Sequence, residues 1–256
     1  MKRFFVTLMI RKYPLKQTCL LQTAAAVFSF SLVFFKGDIM KTEIPIISLN
    51  YFRKGKIMKA EELKQRLLGG CHKVIEAEEE LTAIDSKFGD ADHGLTMKKI
   101  ADTMIEAINS SPDNIKDLFE NVASKVGVLN GGSAVPLWNS WLQGMADVAP
   151  DSEEASLEEL KAMFSNGMEE FDFMSGAAVG DKTIMDALKP ASDAIEEASD
   201  EKALFVSAAA AAKQGAEKTK EFTAKFGRAK SYGEKTLGTC DAGALSMSLF
   251  FEGMAL

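Results

Sequence analysis

Cysteine is scarce in this chain. Cys19, Cys71 and Cys240 are its three thiols, an odd count without metal-ligand spacing. That excludes a disulfide framework and a thiolate metal site, and it points to a reducing compartment. A positive charge balance is missing too. The net charge is −7, whereas a general nucleic-acid binder carries a basic patch or stripe, so no direct nucleic-acid contact is expected. Alternating apolar and polar runs of the strand type are absent as well. What remains is an all-α bundle with short connections.

The first 57 residues differ in kind from the rest. Lys2, Arg3, Arg11, Lys12 and Lys16 precede an apolar run over 19–35, interrupted by Gln22, Thr23, Ser29 and Ser31 and closed by Lys36. Such a run suits a signal peptide or a marginal membrane span, which needs about 20 apolar residues. A third reading is an over-extended gene start, and we favour it. Residues 38–56 have no clean period, and the amphipathic pattern begins just after Met58. The expected division is an N-terminal extension over 1–57 and a helical domain over 58–256.

Within that domain Leu63, Leu67, Cys71, Val74, Ile75, Leu81 and Ile84 recur near helical spacing. Further helical stretches fall near 94–110, 113–127, 133–148, 156–174, 181–198, 201–225 and 241–254, eight helices in all. Ser156 with Glu159 forms a capping-box pattern ahead of Leu160 and Phe164. Pro190 predicts a bend or interruption in the sixth helix.

Four local patterns carry chemistry. Asp85 precedes Gly89-Asp90-Ala91-Asp92-His93-Gly94, so three carboxylates crowd onto a short length of chain. Like charges this close repel unless a cation joins them, and a hard divalent ion with oxygen ligands and substrate phosphates suits them. A plain acidic turn is the bland alternative. A calcium loop of the EF-hand type is excluded, because the places of its glycine and its bidentate glutamate are taken by Leu95 and Ala101. Gly131-Gly132-Ser133-Ala134 opens a helix containing Leu137, Trp138 and Trp141; its N–H groups suit an anion, though Gly-Gly also makes ordinary turns. Gly180-Asp181-Lys182-Thr183 opens the sixth helix, with Asp181 as a candidate cap. A long connection over 227–238 carries Arg228, whose fork of donors suits phosphate.

Together, in order and spacing from about Ala60 to the C-terminus, these patterns resemble the ADP-binding L subunit (DhaL) family of dihydroxyacetone kinases. That pattern runs Leu-Asp, four residues, Asp-x-Asp-His-Gly, then Gly-Gly-x-Ser-Gly-Pro-Leu, Gly-Asp-Lys-Thr, Gly-Arg-Ala-Ser-Tyr and Asp-Pro-Gly-Ala. The resemblance implies an all-α, eight-helix antiparallel up-and-down barrel with a nucleotide site at one end. It implies that Asp85, Asp90 and Asp92 hold two Mg²⁺ ions against the diphosphate of ADP or ATP. His93, Gly94, Leu95 and Thr96 match the loop and helix start beside the nucleotide. Ser133 and Ala134 match the phosphate-contacting turn, Gly176 and Ile184 lie near positions enclosing the nucleotide, and Arg228 with Asp241, Ala242 and Gly243 match the lid and cap.

The implied activity is phosphoryl transfer in dihydroxyacetone (glycerone) kinase. A phosphohistidine carrier, the M subunit of a sugar phosphotransferase system, would rephosphorylate bound ADP, and a separate K subunit would hold dihydroxyacetone. No general base is assigned to this chain. Alternatives are an ATP-dependent kinase subunit for a related ketose or tetrulose, a nucleotide-state signal for a transcription regulator, and the related domain of fatty-acid kinases. The resemblance also implies a cytoplasmic location and allows a homodimer; the apolar run at 19–35 would argue for membrane association if translated. Met58 lies 27 residues before Asp85, about the length of the one helix the family places there. Departures fall at Ala134-Val135-Pro136, where the family has Ser-Gly-Pro, at Arg228-Ala229-Lys230-Ser231-Tyr232, and at Ala242 in place of proline. Gly176 stands one residue closer to Gly180 than in the family pattern.

Overall fold

The computed structural model describes residues 57–256; the apolar run at 19–35 and everything else before Ile57 lie outside the described residues. Among the described residues no helix is long and apolar enough to cross a membrane. The helices are α1 (Ala60–Glu76), α2 (Glu78–Asp85), α3 (His93–Ser110), α4 (Ile115–Gly127), α5 (Ala134–Asp147), α6 (Leu157–Ser175), α7 (Met185–Glu197), α8 (Glu201–Lys218) and α9 (Ala242–Met254). Two strands accompany them, β1 (Ile57–Lys59) and β2 (Glu154–Ser156), paired antiparallel with Met58 opposite Ala155. Three residues are too few for alternation to show in a sequence, and this small sheet leaves the all-α class standing.

Local chemistry explains four of the nine helix starts among the described residues. Asn114, Asp200 and Asp241 cap α4, α8 and α9 by accepting from the N–H of Asp117, Ala203 and Ala244. At Ser156 the predicted capping box is present in both directions. Three boundaries differ from expectation. The first helix is two, parted at Ala77, which lacks any breaker residue that would announce it. The sixth begins at Met185 and not near 181, and it runs through Pro190 without a break. The seventh stops at Lys218 and passes into a 3-10 turn, Thr219–Glu221.

Successive helices pack side by side from α3 through α9, and α9 and α3 both pack on α1, which closes a ring. The short α2 continues α1 along α3 and α9. Inside the ring, Trp138, Trp141, Phe164, Phe205, Phe250 and Phe251 meet mostly edge to face, with Trp138 and Phe250 centroids 5.1 Å apart. Such pairs contribute roughly 0.5–1.5 kcal/mol each beyond area burial. Glycine permits the closest seams. A Cβ on Gly253 of α9 would lie 2.2 Å from the Gly69 carbonyl oxygen of α1, and one on Gly167 of α6 would lie 2.8 Å from the Trp141 carbonyl oxygen of α5.

Because neighbours in the ring alternate in direction, every second N-terminus comes to the same end. Those of α3, α5, α7 and α9 border one cavity there. The positive ends of four helix dipoles therefore face a common space.

Candidate nucleotide and metal site

Asp85 is the last residue of α2, and the following loop is wrapped around it. Its carbonyl accepts from Gly89 N at 2.6 Å and Phe88 N at 3.1 Å. Its Oδ2 accepts from Asp92 N at 3.1 Å and His93 N at 3.4 Å. Gly89 is required here, since a Cβ would lie 2.0 Å from Asp85 Oδ1, and Ala91 adopts φ +60° to complete the turn. The result gathers oxygens of Asp85, Asp90 and Asp92 within 4.8 Å of one another.

Asp92 occupies the N-cap of α3 without making the side-chain cap bond. Its carboxyl is pushed above 3.8 by desolvation first and then by the charges of Asp90 and Asp85, with Arg228 opposing. Arg228 Nη1 lies 2.8 Å from Asp90 Oδ2 and is the cation that attends the cluster among the described residues. Three hard oxygen donors, mutually repelling and open to the cavity, fit a divalent cation such as Mg²⁺.

The cavity measures about 460 Å³, inside the range of about 300–1,000 Å³ usual for small-molecule sites. Asp85, Asp90, Asp92, His93, Thr96, Ser133, Ala134, Ile184, Arg228, Asp241, Ala242 and Gly243 all line it. Gly94, Leu95 and Gly176 do not. Gly94 is buried beneath α2, where a Cβ would sit 2.2 Å from the Glu78 carbonyl oxygen. Leu95 is 61% exposed on the outer face of α3. Gly176 is the left-handed C-cap of α6, between the lining residues Ser175 and Ala177.

His93 joins two helix starts. Its Nε2 is 3.2 Å from Ser246 Oγ, and that hydroxyl donates onward to the Gly243 carbonyl at 2.8 Å, so the ring nitrogen donates to it. Burial holds the imidazole below its ordinary pKa of 6.5, against the charge of Asp85 and a bond to the Ala242 backbone. At α5, Ser133 is the N-cap and its hydroxyl makes no cap bond. Pro136 falls within the first turn of that helix, where a missing N–H removes nothing the helix uses.

Opposite the carboxylates, Asp181 is not the helix cap that the sequence suggested. It accepts from Ala178 N at 2.8 Å and from Lys225 Nζ at 2.6 Å. The buried Asp186, inside α7, takes the organising role by accepting from Gly180 N at 2.6 Å and Thr183 N at 2.7 Å. The connection from α8 to α9 crosses the cavity mouth as a lid. Phe226, Gly227, Arg228 and Ala229 line the cavity, and Tyr232 meets Phe88 edge-on at 5.3 Å. Sequence reasoning missed Lys182, Asp186, Ser246 and the Phe88–Tyr232 contact. The Gly-Asp-Lys-Thr pattern contains Lys182, whose partners Thr219 and Thr239 lie far along the chain; Asp186 stands three residues beyond that pattern and binds it locally through Gly180 N and Thr183 N.

Residues 87–256 match the family model described as the DAK2 domain. The ADP-binding subunit DhaL of the PEP-dependent dihydroxyacetone kinase of Escherichia coli is 29% identical over 73% of this chain and 91% of its own length. The corresponding subunit of kinase 1 of Listeria innocua is 30% identical over 71% and 88%. The L-erythrulose 1-kinase of Mycolicibacterium smegmatis is 32% identical over 69% of this chain, yet only 32% of its own length is spanned. In fold, the crystal structure of dihydroxyacetone kinase from C. freundii in complex with AMP-PNP and Mg²⁺ superposes with a TM-score of 0.60 at 22% identity, over 89% of this chain and 37% of that one. The chain thus spans about a third of these longer kinases and about nine-tenths of the two subunits.

Proposed function

The chain belongs to the DAK2-domain family, and from that premise we propose that it is the nucleotide-binding phosphoryl-transfer subunit of a dihydroxyacetone-type kinase. In this reading Asp85, Asp90 and Asp92 hold two Mg²⁺ ions, and ADP or ATP occupies the cavity behind them. Phosphate arrives from a phosphohistidine carrier and leaves for dihydroxyacetone held on a separate K subunit. One arrangement carries the reading: a carboxylate cluster shares one cavity with the N-termini of α3, α5, α7 and α9.

The division of labour follows from charge. Bound magnesium supplies charge neutralisation and alignment of the transferring group. The positive ends of the α3, α5, α7 and α9 dipoles would favour the charge of a diphosphate held in the cavity. Arg228 offers a planar fork from the lid. His93 stays neutral and fixed between α3 and α9, so it positions the two helix starts and adds no charge. No side chain lining the cavity is assigned as a general base, because phosphoryl transfer asks mainly for placement and electrostatics.

Mass spectrometry of nucleotide and metal released from the purified full chain after exhaustive dialysis tests this. Retained ADP near one per chain, with magnesium, supports the coenzyme mode. Nucleotide that binds only on addition supports exchange of free ATP, and a chain that binds neither sinks the reading. A second substrate deserves inclusion, since an L-erythrulose 1-kinase is among the relatives. Turnover with erythrulose in place of dihydroxyacetone would assign the chain to a tetrulose kinase.

A further inference from the structure

The lid leaves α8 at Thr219 and re-enters the ring at Asp241, and its two legs are tied at the base. Thr219 is fully buried; its Oγ1 donates to the Ala216 carbonyl at 2.6 Å and accepts from Asp241 N at 2.9 Å. One step further out, Gly238 N donates to the Lys220 carbonyl at 2.7 Å. Between these ties stands Lys182. Its Nζ donates to the carbonyls of Thr219 and Thr239, both at 2.5 Å, one on each leg.

Several features mark this contact as built. Lys182 is only 5% exposed, and lysine is almost never buried without partners. Its backbone is held at φ +60°, a conformation that a non-glycine residue keeps when its surroundings dictate it. Here they do, because Asp186 fixes the residues on both sides through Gly180 N and Thr183 N. Next to Lys182, Asp181 grips the lid again, accepting from Lys225 N at 3.1 Å with its carbonyl and from Lys225 Nζ with its carboxylate. Beyond these anchors the lid reaches the metal-site loop through Arg228 on Asp90 and Tyr232 on Phe88.

We propose that Lys182 is a positioning residue for the lid: by joining both legs at their base it sets where Arg228 and Tyr232 meet the Asp85–Asp92 loop, and thereby how slowly a bound nucleoside diphosphate escapes. The inference rests on the nucleotide-binding reading above and extends it to a residue that need not touch the nucleotide. An ammonium suits the task because it has three donors and no acceptor, so it can bridge two carbonyls that face it.

The test uses the full 256-residue chain and Lys182→Met, which keeps the stem and removes the donors. Release of a fluorescent ADP analogue in excess Mg²⁺ is followed by stopped flow. Mn²⁺ affinity without nucleotide is followed by electron paramagnetic resonance, and lid cleavage by trypsin. Release is expected to accelerate about tenfold and tryptic cuts at Lys225, Arg228 and Lys230 to appear sooner. Mn²⁺ affinity should not fall, since its carboxylates lie on another loop; freeing Asp90 from Arg228 would raise it by about fivefold at most. A merely structural staple would instead weaken both ligands together. Unchanged release from a folded variant overturns the inference, as does a parallel loss of Mn²⁺ binding. Should Lys182→Met fail to fold, Asp181→Asn loosens the outer grip alone, with release about threefold faster expected; no change there also overturns it. A wild-type chain that binds Mn²⁺ but no ADP analogue sinks the functional reading, and the inference with it.

Discussion

Asp90 pairs with the guanidinium of Arg228 at 2.8 Å and belongs to the carboxylate cluster that we propose as the metal site. Removing the guanidinium leaves the three carboxylates less neutralised and freer for metal. Arg228→Gln is therefore expected to tighten Mn²⁺ binding in the absence of nucleotide by about twofold to fivefold, a small gain because the arginine is largely solvated. Binding of an ADP analogue should weaken about tenfold, the cost of a charge-assisted contact. Opposite signs for the two ligands are the signature, and the gain should shrink as salt screens it; equal losses would remove Arg228 from competition with metal. Asp241 poses a separate question. Burial pushes its carboxyl from 3.8 up to about 6, against the N–H of Ala244, the charge of Lys182 and the N–H of Gly243. A folded-state pKa above the unfolded one gives stability that is full below about pH 4 and lost as pH rises through about 6. Asp241→Asn keeps the cap on Ala244 and has no charge to bury. It should leave thermal stability unchanged near pH 4 and raise it at pH 8 by about 1–3 kcal/mol; a loss at pH 8 would make the carboxylate a net stabiliser. Legibility at this scale followed sequence distance. Asp85, Asp90 and Asp92 were readable because loop and cluster are one short stretch. The bond from His93 to Ser246 spans 153 residues, and no local pattern announces it.

Helices were readable where both halves of a signal sit in the sequence, as with Ser156 and Glu159. The start of α7 was not, because an acidic residue after glycine looks the same whether it caps a helix or grips a lid. Only the fold tells Asp181 from Asp186. Pro190 shows how an element can absorb a breaker. It removes the donor that would have bonded the Asp186 carbonyl, and α8 brings Gly215 against that oxygen, where a Cβ would lie 1.9 Å away. Neither residue signals the other in sequence. The seams between helices are likewise matters of pairing, and they are testable. Gly253→Ala should destabilise the fold by about 1–3 kcal/mol through overpacking, since backbone of α1 lies in its path. Gly132→Ala is the control, with nothing within 4 Å of the added methyl, and its melting temperature should stay that of the parent. Equal melting temperatures for both variants would mean that α1 and α9 part readily.

At the scale of the molecule, alternation around the ring sends every second N-terminus to one end, and the loops that carry the carboxylates and the arginine lie there too. Composition and periodicity made the helical class legible; the closed ring and the choice of the end with the cavity came from the resemblance, because helix order around a barrel leaves no trace in spacing. The charged and hydrogen-bonding chemistry of that end serves ions. Its lining offers oxygens for cations and N–H groups or a guanidinium for anions, while His93 is engaged by Ser246 and Lys182 by two carbonyls. None of these is free to capture a sugar carbonyl. The full chain alone, given ATP, Mg²⁺ and dihydroxyacetone, is therefore expected to yield no sugar phosphate, and adding a family K subunit should produce turnover. Asp90→Asn should abolish that turnover even with the K subunit present, because it takes a charged oxygen from the cluster, and its fold should persist because Asp90 sits on an exposed loop. Both are checked by chromatographic detection of the sugar phosphate. Product formed by the chain alone would put a sugar site within this one domain and overturn the division between two subunits.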